Sequence, residues 1–269
     1  MLKSPGSIEK LIWIMAQLRD PVKGCPWDLK QSFQSIVPYT LEEAFEVAEA
    51  IENHDFDELE KELGDLLFQV VFYAQLGVEE QKFNFSDVVN AICEKLIRRH
   101  PHVFAHSTLL SEQEIKANWE NEKAKERAQK AHLKDDQISI LDDIPKALPA
   151  LSQAAKIQKR CSHVGFDWDN IEDVLAKVKE EVLEVEDELL AAHVNDDLVA
   201  EEIGDLLFAV VNLARHAKQD PEQLLRQASR KFTKRFNFIE QYHFDNNLDI
   251  KQSTLMQLED LWLQAKTRK

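Results

Sequence analysis

Glycine and proline are scarce, at 6 and 8 among 269 residues. With so few chain breakers there is little room for the tight turns that hairpin-rich folds require, so long helices are favoured. Cysteine is scarcer still. Cys25, Cys93 and Cys161 stand far apart and form no Cys-x-x-Cys pair. That excludes a disulfide framework and a zinc site, and fits free thiols in a reducing compartment. Long apolar runs are missing too. The patch at residues 11–15 is too short to span a bilayer and carries no signal-peptide cleavage pattern. A cytoplasmic protein with no membrane partner is therefore expected, the patch forming the apolar face of a first helix. Positive charge is in deficit: 33 Lys and Arg against 49 Asp and Glu leave a net charge of −16. An acidic surface repels a phosphate backbone, so nucleic acid is not an expected partner. A nucleotide remains admissible where a divalent cation or a few placed Lys and Arg offset its charge.

What the chain does have is a repeat. The blocks Gly24–Asp28, Leu41–Glu46 and Glu62–Phe68 recur in order as Gly165–Asp169, Lys179–Glu184 and Glu202–Phe208. A fourth match follows, Lys95 and Arg99 against Lys231 and Arg235, each pair four apart. Four ordered blocks imply a duplication, and at roughly 150 residues per domain the length fits two units. The expected architecture is all-α: two tandem related four-helix-type units joined by a charged helical linker. The boundaries expected are 1–108, a linker at 109–145, and 146–269. Helices are expected at Leu41–Ile51 (capped by Thr40), Asp57–Gly77, Ser86–Arg99 (capped by Ser86), Ile171–His193, Asp197–Lys218 and Pro221–Tyr242. Residues 120–129 read as an exposed linking helix, and 139–145 as an extended linker.

The chemistry-bearing pattern is carboxylate. Glu181 and Glu184 lie three apart on one helix, and Glu202 and Asp205 repeat that spacing on the next, so two facing helices would gather four acids. Oxygen-only ligands suit a hard cation, and Mg²⁺ is the usual partner of phosphate. No histidine stands at the i+3 positions, which argues against a di-iron bundle. The helix after Glu202 is apolar almost all round, so it is expected to be buried and its acids to face protein or an ion rather than water. Gly204, between the acids, costs about 1 kcal/mol in a helix interior and suggests a close neighbour.

This pattern, Glu-Glu-x-x-Glu followed by Glu-x-x-Asp, resembles the signature of the MazG nucleotide pyrophosphohydrolases, and the resemblance runs over essentially the whole chain, including Arg98–Phe104 and Trp119–Glu120. It implies a fold shared with dimeric dUTPases. It also implies hydrolysis of nucleoside triphosphates (NTPs and dNTPs, over a broad range) to the monophosphate and pyrophosphate, with Mg²⁺ as cofactor and Mn²⁺ as a substitute. A homodimer and a role in nucleotide-pool housekeeping or stress response are implied with it. Glu181, Glu184, Glu202 and Asp205 would be the catalytic and metal-binding residues. Lys177, Glu180, Asp205, Asn212, Lys231, Arg235 and Trp262 would bind nucleotide. Glu43, Glu46, Glu62 and Asp65 form a possible second metal site. The first copy, however, has Tyr39 where the second has Lys177, and Phe72 where it has Asn212, so the C-terminal unit is expected to be the main catalytic one. His100, His102 and His106 read as cap or loop groups rather than ligands, and Trp27 and Trp168 as core anchors. The competing reading is a non-catalytic helical regulator that binds nucleotide or a partner; a second is a related hydrolase of narrow specificity.

Overall fold

In a computed structural model of the chain, residues 6–105, 111–132 and 139–267 are described, and these are helical with no strand among them. His106 lies outside the described residues. The chain divides into two compact units, 1–124 and 125–269. No helix among the described residues is long and apolar enough to cross a membrane.

Unit 1 opens with α1 (Ile8–Leu18), whose N-cap Ser7 accepts from the Lys10 amide at 3.2 Å. Then α2 (Phe33–Glu52) and α3 (Phe56–Glu79) form a helical hairpin, followed by α4 (Phe85–Arg99) and the short α5 (Pro101–Phe104). The expected start of α2 is corrected. Ser32, not Thr40, is its cap, in a reciprocal pair with Ser35. The helix runs through Pro38, which forfeits one intrahelical bond to the preceding turn without ending it. Thr40 instead sits mid-helix, its hydroxyl 3.1 Å from the Ile36 carbonyl and 3.0 Å from the Tyr73 hydroxyl. Likewise α4 is capped by Asn84, two residues before the expected Ser86. α3 passes two residues beyond Gly77, whose missing side chain lets Phe83 close over it. The core is aromatic and aliphatic: Met15, Ile36, Val71, Phe72 and Leu76 are buried together.

α6 (Glu112–His132) spans the division between the units, longer than the linking helix expected at 120–129. After it, residues 140–143 form a turn, not an extended strand of linker; the Ser139 amide donates to the Asp142 carboxylate at 2.9 Å.

Unit 2 repeats the plan. It holds α7 (Ala150–Ser162), the hairpin α8 (Ile171–Leu189) and α9 (Asp196–His216), then α10 (Pro221–Asp245) and α11 (Leu255–Thr267). Asn170, Asn195 and Asp220 cap α8, α9 and α10 by accepting from backbone amides at 2.8–3.0 Å, each worth about 1 kcal/mol. Gly165, with φ of 84°, turns the chain between α7 and α8 in a conformation that side chains disfavour. α8 stops at Leu189, four residues before the expected His193. The buried set here is mixed: Val174, Ala209, Val211, Ala214, Ile239, Leu261 and Ala265 beside Gln158, Glu181, Asn212 and His243.

The expectation that the α9 helix would be buried all round is corrected within one chain. Leu207 is 55% exposed, and Ile203, Phe208 and Val210 are exposed as well. Gly204 has nothing within 4 Å of where its Cβ would stand, so no neighbour within the chain accounts for it.

Candidate active site

α8 and α9 carry the acids on facing sides because residues three or four apart share a helix face. Ligand-capable oxygens of Glu181, Glu202 and Asp205 all lie within 4.8 Å of one another. Glu184, a turn further along α8, is not in that group. Glu181 is 5% exposed, and its Oε2 is buried with no hydrogen-bond partner. Such an atom costs on the order of 1–3 kcal/mol or more, and three gathered carboxylates repel. Burial and neighbouring acids raise the pKa of Glu184 and of Glu202 above the usual carboxylate range. An orphaned, buried carboxylate oxygen in an oxygen-only cluster fits a hard divalent cation.

Lys177, one turn before Glu181, meets the cluster from its own helix. Its Nζ lies 2.8 Å from Glu181 and 2.9 Å from Glu180, and these hydrogen bonds raise its pKa further.

Beside the acids opens a cavity of about 440 Å³. Glu181, Asp205 and Lys177 stand on its wall with Asn212, while Phe166, Trp168, Val174 and Phe208 give it an apolar, aromatic side. Trp168 is 42% exposed at this cavity, and its counterpart Trp27 is 49% exposed, so neither is the core anchor expected. Lys231, Arg235 and Trp262 are not part of this lining. Arg235 and Trp262 form a separate group on α10 and α11, the Arg235 guanidinium 5.5 Å over the Trp262 ring, which packs on Phe232 at 4.9 Å; Lys231 is on α10, four residues before Arg235.

Sequence reasoning missed Gln158, Asp167, Arg215 and His216. Gln158 lines the cavity, buried, and donates from Nε2 to the Phe208 carbonyl at 2.8 Å. Asp167 accepts from Arg215 at 2.5 Å and from His216 at 2.9 Å. Burial alone would raise the pKa of Asp167, but those two donors hold it down, to about 2. The signal was present in the repeat: the first copy has Pro26, Gln75 and Leu76 where the second has Asp167, Arg215 and His216.

In unit 1 the matching acids Glu43, Glu62 and Asp65 also gather within 4.8 Å, again without the second glutamate, here Glu46. Glu43 accepts from Gln69 Nε2 at 3.2 Å, and burial raises its pKa and that of Glu62. The neighbourhood differs. Phe72, in the place of Asn212, is fully buried and stacks edge-on against Phe68 at 5.9 Å. His100 is the C-cap of α4, its Nδ1 2.7 Å from the Leu96 carbonyl, and is in edge contact with Trp119.

A model of the MazG nucleotide pyrophosphohydrolase domain matches the chain twice, over residues 31–104 and 169–238, once in each copy. The chain is 51% identical over 261 residues to a nucleoside triphosphate pyrophosphohydrolase of Escherichia coli (strain K12), covering 97% of each. It is 41% identical over 266 residues to the nucleoside triphosphate pyrophosphohydrolase/pyrophosphatase MazG of Thermotoga maritima, covering 98% of each. The crystal structure of a mazG-related protein from Thermotoga maritima is 28% identical, with a TM-score of 0.38 over 44% of this chain and 99% of that one.

Proposed function

Since the chain belongs to the MazG nucleotide pyrophosphohydrolase family, we propose that its C-terminal unit hydrolyses nucleoside triphosphates, ribo and deoxy, to monophosphate and pyrophosphate with Mg²⁺ or Mn²⁺, as a cytoplasmic housekeeping or stress enzyme. The observation that carries this reading is the meeting of two features on one wall: Glu181 and Asp205 belong both to the carboxylate cluster and to the lining of a cavity large enough for a nucleoside. A site that only needed to hold an ion would need no such cavity.

Glu181, Glu202 and Asp205 would hold the cation. When bound, Mg²⁺ offsets triphosphate charge and makes water a better nucleophile. Glu184 stands outside the three-carboxylate group with a raised pKa, which suits it to accept the proton of the attacking water. Lys177 and Glu180 are already paired, so Lys177 can exchange its carboxylate partners for a phosphate at little electrostatic cost. The aromatic side of the cavity, with Trp168 and Phe208, would take the base. Lys231, Arg235 and Trp262, outside this lining, would serve a nucleotide whose site is completed by a second copy. The exposed apolar residues of α8 and α9, Leu183 at 59% and Leu207 at 55% among them, give such a homodimer a surface to cover.

The Glu43, Glu62 and Asp65 cluster of unit 1 can hold a cation, but with Phe72 in the place of Asn212 it is assigned no turnover. The test is pyrophosphate release from a panel of NTPs and dNTPs with Mg²⁺. Glu184→Ala should lose at least about a hundredfold in kcat, the scale of a lost proton acceptor, and Glu46→Ala should retain activity. Loss in Glu46→Ala but not in Glu184→Ala would reverse the assignment.

A further inference from the structure

Asn212 is 5% exposed on α9, seven residues after Asp205 and therefore on its face, and it lines the cavity. Its Oδ1 accepts from Arg215 twice, from Nε at 2.9 Å and Nη2 at 2.6 Å. Arginine can only donate, so turning the amide over would set donors against donors. The amide is therefore held one way round, with Oδ1 on Arg215 and Nδ2 on the other side. Nδ2 has no partner among the described residues and is not sealed in by protein. The Arg215 fork is fixed in turn, since Nη2 also donates to Asp167 Oδ1 at 2.5 Å, and Asp167 is steadied by His216 at 2.9 Å.

Resting on the nucleotide reading above, we infer that Asp167 and Arg215 are positioning residues that lock the Asn212 amide so that its Nδ2 is a fixed donor to an acceptor atom of the bound nucleobase. Asn212 stands two turns of α9 beyond Asp205, about 10 Å along the helix, so the network lies apart from the carboxylate cluster while lining the same cavity. A second amide complements it. Gln158 gives its Nε2 to the Phe208 carbonyl, one turn before Asn212 on α9, and its Oε1 is left buried without a partner in the same wall. The fixed donor is the Asn212 Nδ2 alone, and it suits an acceptor atom on the edge of a base. Unit 1, with Pro26, Phe72 and Gln75 at the corresponding positions, has none of the three groups of the network.

The test is binding to the full chain with Mg²⁺, using two probes: a nucleoside triphosphate whose α–β bridge is methylene, and inorganic tripolyphosphate. Asn212→Asp preserves size and strengthens the pairing with Arg215, but turns the cavity donor into an acceptor. The expected result is a Kd for the nucleotide roughly ten- to a hundredfold weaker, with tripolyphosphate unchanged. Arg215→Lys, which cannot fork, should weaken nucleotide binding in the same selective way. Equal losses for both probes would mean added charge alone, and no loss in either variant would mean a structural network; each overturns the inference. Wild-type chain that binds the nucleotide selectively but releases no pyrophosphate from ordinary substrates would sink the enzymatic reading and leave this one standing. Wild type that binds neither probe sinks both.

Discussion

The pKa of Asp167, held at about 2, ties one residue of the cavity wall to the stability of the fold. An ordinary aspartate titrates near 3.9, so the folded state favours the ionised form. For a lowered acid, the stabilisation is complete above the unfolded pKa and is lost as pH falls through the folded one. The window is therefore about pH 4 down to pH 2, and the size about 2 kcal/mol. Urea titrations should give Asp167→Asn a deficit of that order at pH 7 and a flatter loss between pH 4 and 2 than the parent; parallel acid limbs would refute it. Glu181 sits inside the protein with one carboxylate oxygen left without a partner, and Lys177, on the same helix, meets the other at 2.8 Å. The residues legible from sequence were those that share one helix face. Glu181, Glu202, Asp205 and Asn212 follow from a spacing of three, four or seven. Glu184 obeys the same spacing rule as Asp205 does with Glu202, yet it is not one of the three gathered carboxylates, so spacing alone does not decide membership. Asp167, Gln158 and Arg215 meet only because α7, the turn at Gly165 and α9 approach one another in space, and no periodicity encodes that approach.

At the scale of elements, the helices of the repeated blocks were legible and helix starts were less so, while α7 and α11 were not. The helix expected from Thr40 begins instead at Phe33, after Ser32, and carries Pro38 inside it at the cost of one intrahelical hydrogen bond. The buried α9 expected from its composition failed for a different reason: an apolar-all-round helix states how much surface must be covered, not by which chain. Gly204 sharpens this. In one chain its Cβ would meet nothing, so alanine there should stabilise the folded monomer by about 1 kcal/mol. If the same face closes on a second copy, that methyl stands in the contact. Gly204→Ala is therefore expected to raise the melting temperature at low concentration and to weaken self-association in sedimentation equilibrium. An unchanged association constant would place the contact between copies on another face.

For the molecule as a whole, the two copies have kept one helical plan and spent their interiors differently. Unit 1 packs Met15, Ile36, Val71, Phe72 and Leu76 into one apolar cluster and also buries Asp28 and Gln69; unit 2 buries Gln158, Glu181, Asn212 and His243 and keeps an open cavity beside the first three. Ligand binding stabilises only the unit that binds it. In hydrogen exchange, Mg²⁺ with the methylene-bridged nucleotide should slow the amides of α8 and α9 and leave the Val71–Leu76 segment of α3 unchanged. Protection of both would show a nucleotide in each copy. The filled position at Phe72 also bears on the history of the chain. A buried phenylalanine is costly to remove, at about 3–5 kcal/mol for its loss to alanine, so a copy that has once taken it returns to substrate handling only by first losing stability. On the reading that the C-terminal copy alone handles substrate, duplication works as a ratchet: later change in what the protein accepts has one copy to act on, and the other supplies the margin of stability against which such change is tolerated.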